Sequence, residues 1–194
     1  MRWLAGLLVL LSTQVAAQFR PVPVTQPDIP LRFELFSIKP PSGPNWFFVQ
    51  PVTPEGVLFG KPPREPGHTL LAWAVAKRRA EKVEDLPAYL AAIRPELERR
   101  LPPGRHTILE SDIKPFEKYP DACVRFWFKA TDQAVKGREG VPQNFLIAGV
   151  HCVEPRERIY NIDLNYSERS GPERWSEATQ AEAEAFFASL LLTK

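Results

Sequence analysis

The sequence has few of the residues and motifs that build reactive centres. Its 194 residues include 2 cysteines, 3 histidines and 1 methionine. It contains no Gly-x-Ser-x-Gly elbow, no phosphate-binding glycine loop, no dinucleotide fingerprint and no closely spaced pair of zinc ligands. The common motif-bearing hydrolase, nucleotide-binding and zinc-enzyme classes are therefore not indicated, and we predict no cofactor and no metal site.

A strong charge of one sign is also missing. The chain has 25 Lys plus Arg against 23 Asp plus Glu, with 44% hydrophobic and 25% charged residues. One basic run, Lys77 to Arg79, could contact phosphate, but Glu81, Glu84 and Asp85 follow it closely. This composition is typical of a globular protein and predicts no nucleic-acid partner.

Long hydrophobic runs are missing apart from one near the N-terminus. Arg2 precedes eight apolar residues, Leu4 to Leu11, and Ala17 supplies the small residue that a signal peptidase requires. A membrane-spanning helix needs about 20 apolar residues. We therefore predict that residues 1–17 are a signal peptide, that the mature protein is periplasmic or secreted, and that it is not inserted in a membrane after cleavage.

Proline is abundant, and it shapes the first third of the chain. Of 21 prolines, 12 fall between Pro21 and Pro66, which excludes a mainly helical fold there. We predict an extended arm over residues 18–31 and a single α+β domain over residues 32–194, with a mainly antiparallel sheet packed with helices. The predicted strands are Arg32–Lys39, Asn45–Gln50, Gly56–Gly60, Thr69–Lys77, Arg105–Glu117, Cys123–Thr131, Asn144–Val153 and Arg158–Tyr166.

Two helices are predicted from their start signals and apolar spacing. Asp85 is the expected N-cap of the first helix, which Pro95 should split. Thr179 and Glu182 have the spacing of a capping box at the start of the second helix.

The last three strands can be aligned by residue number. If paired numbers sum to 275, Cys123 lies opposite Cys152, and export through an oxidising compartment favours a disulfide over two buried thiols. If a turn over residues 154–157 pairs Val153 with Arg158, the next sum is 311 and Ile162 faces Gly149. Both alignments place the apolar residues of all three strands on one face.

These alignments define a candidate binding face on the other side of the sheet. It combines an aromatic residue with cations and amides, a composition that binding surfaces favour. Its residues are Arg125, Trp127, Lys129, Asn161, Asp163 and Asn165. The alternative is that a helix or the proline-rich segment covers part of this face and makes Trp127 a packed residue.

Carboxylates are plentiful, and two of them could form an acid/base pair. The candidates are Glu110, Asp112, Glu117 and Asp163, although solvated surface acids explain them more simply. His151 is interpreted as a histidine that lines the core.

The order of the elements resembles the PsbP-like α/β/α sandwich group. The resemblance rests on the strand Phe36–Pro41 leading to Trp46, the helix over Tyr89–Leu97, the strands over Ile108–Tyr166, and the closing helix with Phe186, Phe187 and Leu190. It implies a non-catalytic accessory or binding role, and it supplies no functional residues by motif.

Three functions therefore stay open. The first is an exported binding or accessory protein of the cell envelope, with a protein or small-molecule partner. The second is an envelope hydrolase that uses a carboxylate pair, and the third is a structural subunit of an envelope assembly. Raised carboxylate pKa values in a cleft would favour the hydrolase, and a contiguous exposed apolar patch would favour the subunit.

The predicted signal peptide can be tested by mass. We expect the exported protein to begin at Gln18, because cleavage follows Ala17. Intact-protein mass spectrometry of the exported chain measures this directly. An exported chain that retains residues 1–17 would contradict the prediction.

Overall fold

A computed structural model describes residues 21–135, 138 and 140–193. The predicted signal peptide lies outside the described residues, and so do Lys136 and Gly137, where the sequence places a hairpin turn. The described part of the chain is a mainly antiparallel sheet with three helices.

The described elements follow the predicted order with adjusted ends. The strands are β1 (Val22–Pro23), β2 (Leu31–Arg32), β3 (Phe36–Ile38), β4 (Phe47–Phe48), β5 (Gly56–Lys61), β6 (Thr69–Arg78), β7 (His106–Pro115), β8 (Cys123–Asp132), β9 (Gln143–Val153), β10 (Tyr160–Arg169) and β11 (Leu191–Leu192). The helices are α1 (Leu86–Ala91), α2 (Arg94–Glu98) and α3 (Glu177–Ala188).

Eight strands form one antiparallel sheet in the order β1-β4-β5-β6-β10-β9-β8-β7, and β11-β3-β2 form a small second sheet. Strand β9 lies between β8 and β10, as its apolar residues on both faces predict. Strand β1 pairs with β4, and the Val24 amide donates to the Trp46 carbonyl at 2.9 Å. The described end of the N-terminal arm therefore extends the main sheet.

The first predicted strand, Arg32–Lys39, is wrong as a continuous element. The chain turns back between β2 and β3, which pair with each other. The Phe33 amide donates to the Phe36 carbonyl at 2.8 Å, and the two rings stack with centroids 4.6 Å apart. This turn lets both aromatic rings pack against the core, which a straight strand would prevent because neighbouring side chains alternate between faces.

The predicted start of the first helix is confirmed, and the predicted start of the last helix is corrected. Asp85 caps α1 by accepting from the Ala88 amide at 3.0 Å, and Pro95 stands at the start of a separate α2. The cap of α3 is Ser176, which accepts from the Thr179 amide at 3.2 Å. The predicted Thr179 capping box is wrong because Glu182 instead binds Lys61 and the hydroxyl of Tyr166, both at 3.0 Å.

The alignment of β8 with β9 is confirmed. Cys123 pairs with Cys152, Phe126 with Gly149 and Phe128 with Ile147. Gly149 is required here, because a Cβ atom built on it would lie 2.6 Å from the Phe126 ring and 2.4 Å from the Leu164 carbonyl. The Phe126 ring therefore lies across the backbone of β9.

The alignment of β9 with β10 is wrong by three residues. Val153 pairs with Asn161 rather than Arg158, so the paired numbers sum to 314. The connecting loop is longer than a four-residue turn because the buried Glu154 carboxylate holds it, accepting from the amides of Arg156 at 2.9 Å and Glu157 at 2.7 Å. Burial opposes ionisation of Glu154, but these amides outweigh it and lower its pKa.

An odd shift moves every side chain of β10 to the opposite face. The apolar residues Ile162, Leu164 and Tyr166 join the cluster that contains Phe186 and Phe187 of α3. Ile93 and Leu97, from the α1–α2 segment, pack on the other face against Val124, Phe126, Phe128, Phe145 and Ile147. Helices therefore contact both faces of the sheet, and the polar residues of β10 lie on the side of α2.

The cysteine pair lies on the α3 face, and its sulfur atoms are 2.03 Å apart, which is disulfide distance. Because Cys123 pairs with Cys152 across the strands and export favours oxidation, we expect no free thiol in the denatured, unreduced protein. Replacing both cysteines by alanine should lower the free energy of unfolding by about 2–4 kcal/mol, since the bond joins residues 29 positions apart in sequence.

Thiol titration and urea unfolding check these two expectations. Reduced wild-type protein is the control, because it should lose the same stability as the double variant. Two titratable thiols per unreduced chain would contradict the assignment.

Candidate functional site

The candidate binding face predicted from the sequence is divided between the two sides of the sheet. Arg125, Trp127 and Lys129 lie on the α3 face. Asn161, Asp163 and Asn165 lie on the α2 face, because the β10 register differs from the predicted one by an odd number of residues. The six residues therefore do not form one surface.

Helix α3 covers much of the half that carries Trp127. The Arg125 guanidinium bonds to Glu184 and lies 4.1 Å from the centre of the Phe187 ring. Lys129 contacts Glu110 at 3.3 Å. Trp127 is 37% exposed and lies at the margin of this cover. This half of the predicted face is thus largely a helix–sheet contact, as the alternative interpretation expects for part of the face.

The other half lines a pocket between α2 and the sheet. In β6, Trp73 lies opposite Asn165, Val75 opposite Asp163, and Lys77 opposite Asn161. The pocket has a volume of about 550 Å³. Its apolar side chains are Trp73, Val75, Leu97, Leu101, Phe126, Phe128, Phe145 and Ile147, and its polar ones include Lys77, Glu96, Arg100, Arg105, His106, Asn161, Asp163, Asn165 and Arg169. We call this cavity the α2 pocket.

A buried polar network forms one wall of the α2 pocket. Asp163 Oδ1 lies 2.7 Å from His151 Nδ1 and accepts from Arg100 at 2.8 Å. The Tyr89 hydroxyl lies 3.2 Å from His151 Nε2 and donates to Glu96 at 2.8 Å. Since Tyr89 belongs to α1 and His151 to β9, these contacts fix the helical segment to the sheet.

Two pKa shifts show how this network is held. Burial would raise the pKa of Asp163, but the contacts with His151 and Arg100 outweigh burial and lower it. Burial, with the bond to Glu96, raises the pKa of the Tyr89 hydroxyl. Asp163 is therefore ionised and Tyr89 is neutral at pH 7, which suits a fixed ion pair rather than a proton-transfer chain.

A second carboxylate, Asp132, lies behind the pocket lining, bound to Arg105 and Arg169 at one end of the pocket. It is completely buried and accepts two hydrogen bonds from Arg105, at 2.9 and 2.8 Å. Arg169 Nε approaches the same carboxylate at 2.7 Å. Burial alone would raise the pKa of Asp132, but Arg105, the Ala134 amide and Arg169 lower it to about 2.

The three histidines occupy separate places. His68 contacts Glu168 at 3.0 Å, His106 lines the α2 pocket, and His151 is fully buried as expected for a core-lining residue. In the described ranges, no group of three or more His, Cys, Asp or Glu side chains is arranged to hold a metal ion.

The carboxylates proposed for an acid/base pair are also dispersed. Glu110 and Asp112 are exposed on β7, and Glu117 is exposed in the loop that follows. Asp163 is buried in the wall of the α2 pocket.

No helix of the described chain is long and apolar enough to cross a membrane.

Comparisons with known proteins do not show a family for this chain. Neither protein-family models nor curated proteins match the sequence. A mutant of the protein Mog1 has a similar solved structure, with a TM-score of 0.48 and 11% sequence identity over 84% of this chain and 95% of that chain. A likeness of this degree carries no functional argument.

Several pocket residues were not identified from the sequence. Trp73 had a usable signal, because Leu71, Trp73 and Val75 alternate with the small residues Ala72 and Ala74 and so mark a separate face. The arginines of the pocket have no comparable signal in the sequence. Arg100, Arg105 and Arg169 come from loops and a strand end that only the tertiary fold brings together.

The lowered pKa of Asp132 predicts a pH-dependent contribution to stability. Its stabilising effect should be complete above pH 4 and should disappear as the pH falls through about 2. We expect Asp132→Asn to be less stable than wild type by on the order of 1–2 kcal/mol at pH 7 through this linkage.

Urea unfolding at pH 7, 4 and 2.5 measures this difference, which should shrink on acidification. Asp112→Asn, at an exposed position, is the matched control and should follow wild type at each pH. A difference for Asp132→Asn that is constant with pH would refute the assignment.

Proposed function

We propose that the protein is an exported, non-catalytic binding protein that holds a small ligand in the α2 pocket. The observation that carries the proposal is the unequal cover of the two sheet faces. Phe186 and Phe187 of α3 are buried against one face, whereas half-buried Trp73 and the neighbouring aromatic side chains border an open cavity on the other. Ligand sites are typically concave and combine apolar and aromatic side chains with converging polar groups, as the lining of this pocket does.

The compartment is part of the proposal. It is supported by the leader-like sequence of residues 1–17 and by the cysteine pair at disulfide distance, since disulfides persist mainly outside the reducing cytosol. We also propose that the element order, with helices on both sheet faces, reflects a PsbP-like α/β/α sandwich, which favours an accessory or binding role.

The charges in the pocket favour binding over hydrolysis. A general acid needs a carboxyl group whose pKa is raised towards neutrality. In the described chain, contacts with cations, amides and His151 lower the carboxyl pKa values of Asp132, Glu154 and Asp163. The Tyr89 hydroxyl lies beside His151 Nε2, and its raised pKa makes it a poor nucleophile.

A structural-subunit role has less support. Exposed large apolar side chains include Val22 on β1, Leu109 on β7, Trp127 on β8 and Leu191 on β11. These residues lie on different strands, and scattered apolar residues are normal on a soluble protein surface.

Binding of the uncharged fluorophore N-phenyl-1-naphthylamine tests the proposal. We expect one saturable site per chain, because the aromatic floor can cover the naphthyl ring. Val75→Trp should weaken binding by at least about tenfold, since an indole at this position would fill the cavity.

Trp127→Ala is the control on the opposite face, and circular dichroism and thermal unfolding establish that each variant folds. Trp127→Ala should bind like wild type. Binding that survives Val75→Trp but is lost in Trp127→Ala would place the site on the α3 face and contradict the proposal.

A further inference from the structure

One end of the α2 pocket carries an uncompensated positive charge. Arg105 and Arg169 both point at the single carboxylate of Asp132, with closest contacts of 2.8 and 2.7 Å. One carboxylate can neutralise only one of two guanidinium groups. His106 does not change this balance at neutral pH, because burial lowers the pKa of its imidazole. This end of the pocket therefore has a net charge of about one positive unit.

The same end contains buried nitrogen atoms without hydrogen-bond partners among the described residues. They are Nδ1 and Nε2 of His106 and Nε of Arg169. His106 Nε2 lies 3.5 Å from Asp132 Oδ2, and Arg169 Nε contacts the same oxygen, but neither contact has the geometry of a hydrogen bond. The His106 side chain is only 6% exposed, so water replaces few of these bonds. Unpaired buried polar groups are costly, although only one of the two nitrogens of a neutral imidazole is a donor. The donors that an acceptor from outside the chain can reach belong to the guanidinium groups of Arg105 and Arg169, whose side chains are 40% and 25% exposed.

The opposite end of the pocket has two carboxylates among its cations. Asp163 binds Arg100 at 2.8 Å, Glu96 lies 3.7 Å from Arg79, and Asn161 and Asn165 present uncharged amides. Phe145 belongs to the apolar floor and adjoins the cationic end, with its ring 5.3 Å from the His106 ring and 5.1 Å from the Arg169 guanidinium. The cationic end is therefore continuous with the apolar floor.

From this arrangement we propose that the α2 pocket binds amphiphilic monoanions, in which a carboxylate, sulfonate or phosphodiester is joined to an apolar body. The anionic group lies against Arg105, Arg169 and His106, and the apolar body covers Phe145 and Trp73. This inference rests on the proposed function and adds the chemical class of the ligand and its orientation.

Two fluorophores that differ by one charged group test the inference. 8-Anilinonaphthalene-1-sulfonate has the ring system of N-phenyl-1-naphthylamine and one added sulfonate. Arg169→Gln and Arg105→Gln each remove the excess charge but leave Asp132 paired with one guanidinium, so each variant is expected to fold. Each should weaken sulfonate-probe binding by about tenfold or more, with little change for the neutral probe.

Lys129→Gln removes the same charge from the other face of β8 and should change neither affinity. If both probes bind wild type and the arginine variants weaken them equally or not at all, the anion site is overturned while the pocket stands. If neither probe binds wild type at a single site, the proposed function itself fails.

Competition separates an amphiphile from a free anion. Sodium decanoate should displace the sulfonate probe at concentrations at which sodium acetate does not, because the two share a carboxylate and differ in the apolar chain. Equal displacement by acetate and decanoate would mean that the apolar floor takes no part, and it would contradict the proposed ligand class.

Discussion

The alignment of β10 against β9 determines what each face of the sheet can do. The buried Glu154 carboxylate holds the connecting loop by accepting hydrogen bonds from its amides. With the loop held in this way, the first pair of β9 and β10 is Val153 with Asn161. A shift of one residue would send Asp163 and Asn165 into the α3 core and bring Ile162 and Leu164 under α2. Burying an unpaired carboxylate among the aromatic residues of α3 would be strongly unfavourable.

This constraint gives the two faces different physical characters. The α3 face is closed by aromatic packing, and the partly buried Glu182 there is matched by Lys61 and Tyr166. The α2 face cannot close in the same way, because Asp163 and its partners occupy the middle of the sheet. The α1–α2 segment is held there by the packing of Ile93 and Leu97 and by the hydrogen bonds of Tyr89 to that network, and space is left beside the neighbouring aromatic side chains.

The sequence was sufficient for the parts of the fold that depend on local patterns. Most strand positions after Arg32–Lys39, the Asp85 cap, the break at Pro95 and the pairing of Cys123 with Cys152 follow from proline and glycine placement and from alternation. The alignment of β10 with β9 does not follow from such patterns. Because β9 is apolar on both faces, either register would place apolar residues of β10 beside apolar residues of β9. The decisive contact is a side-chain carboxylate bound to loop amides, which residue spacing does not reveal. For the same reason the sequence indicates the three β10 residues that line the α2 pocket, Asn161, Asp163 and Asn165, but places them beside Trp127 instead of Trp73.

A crystal structure of the exported protein with bound 8-anilinonaphthalene-1-sulfonate tests the assignment of the α2 pocket most directly. We expect the naphthyl ring over Phe145 and Trp73, the sulfonate within hydrogen-bond distance of Arg105, Arg169 or His106, and Asp163 still bound to His151. A fluorophore bound on the Trp127 face, or a closed α2 pocket with Asp163 turned away from it, would show that the pocket is not the ligand site.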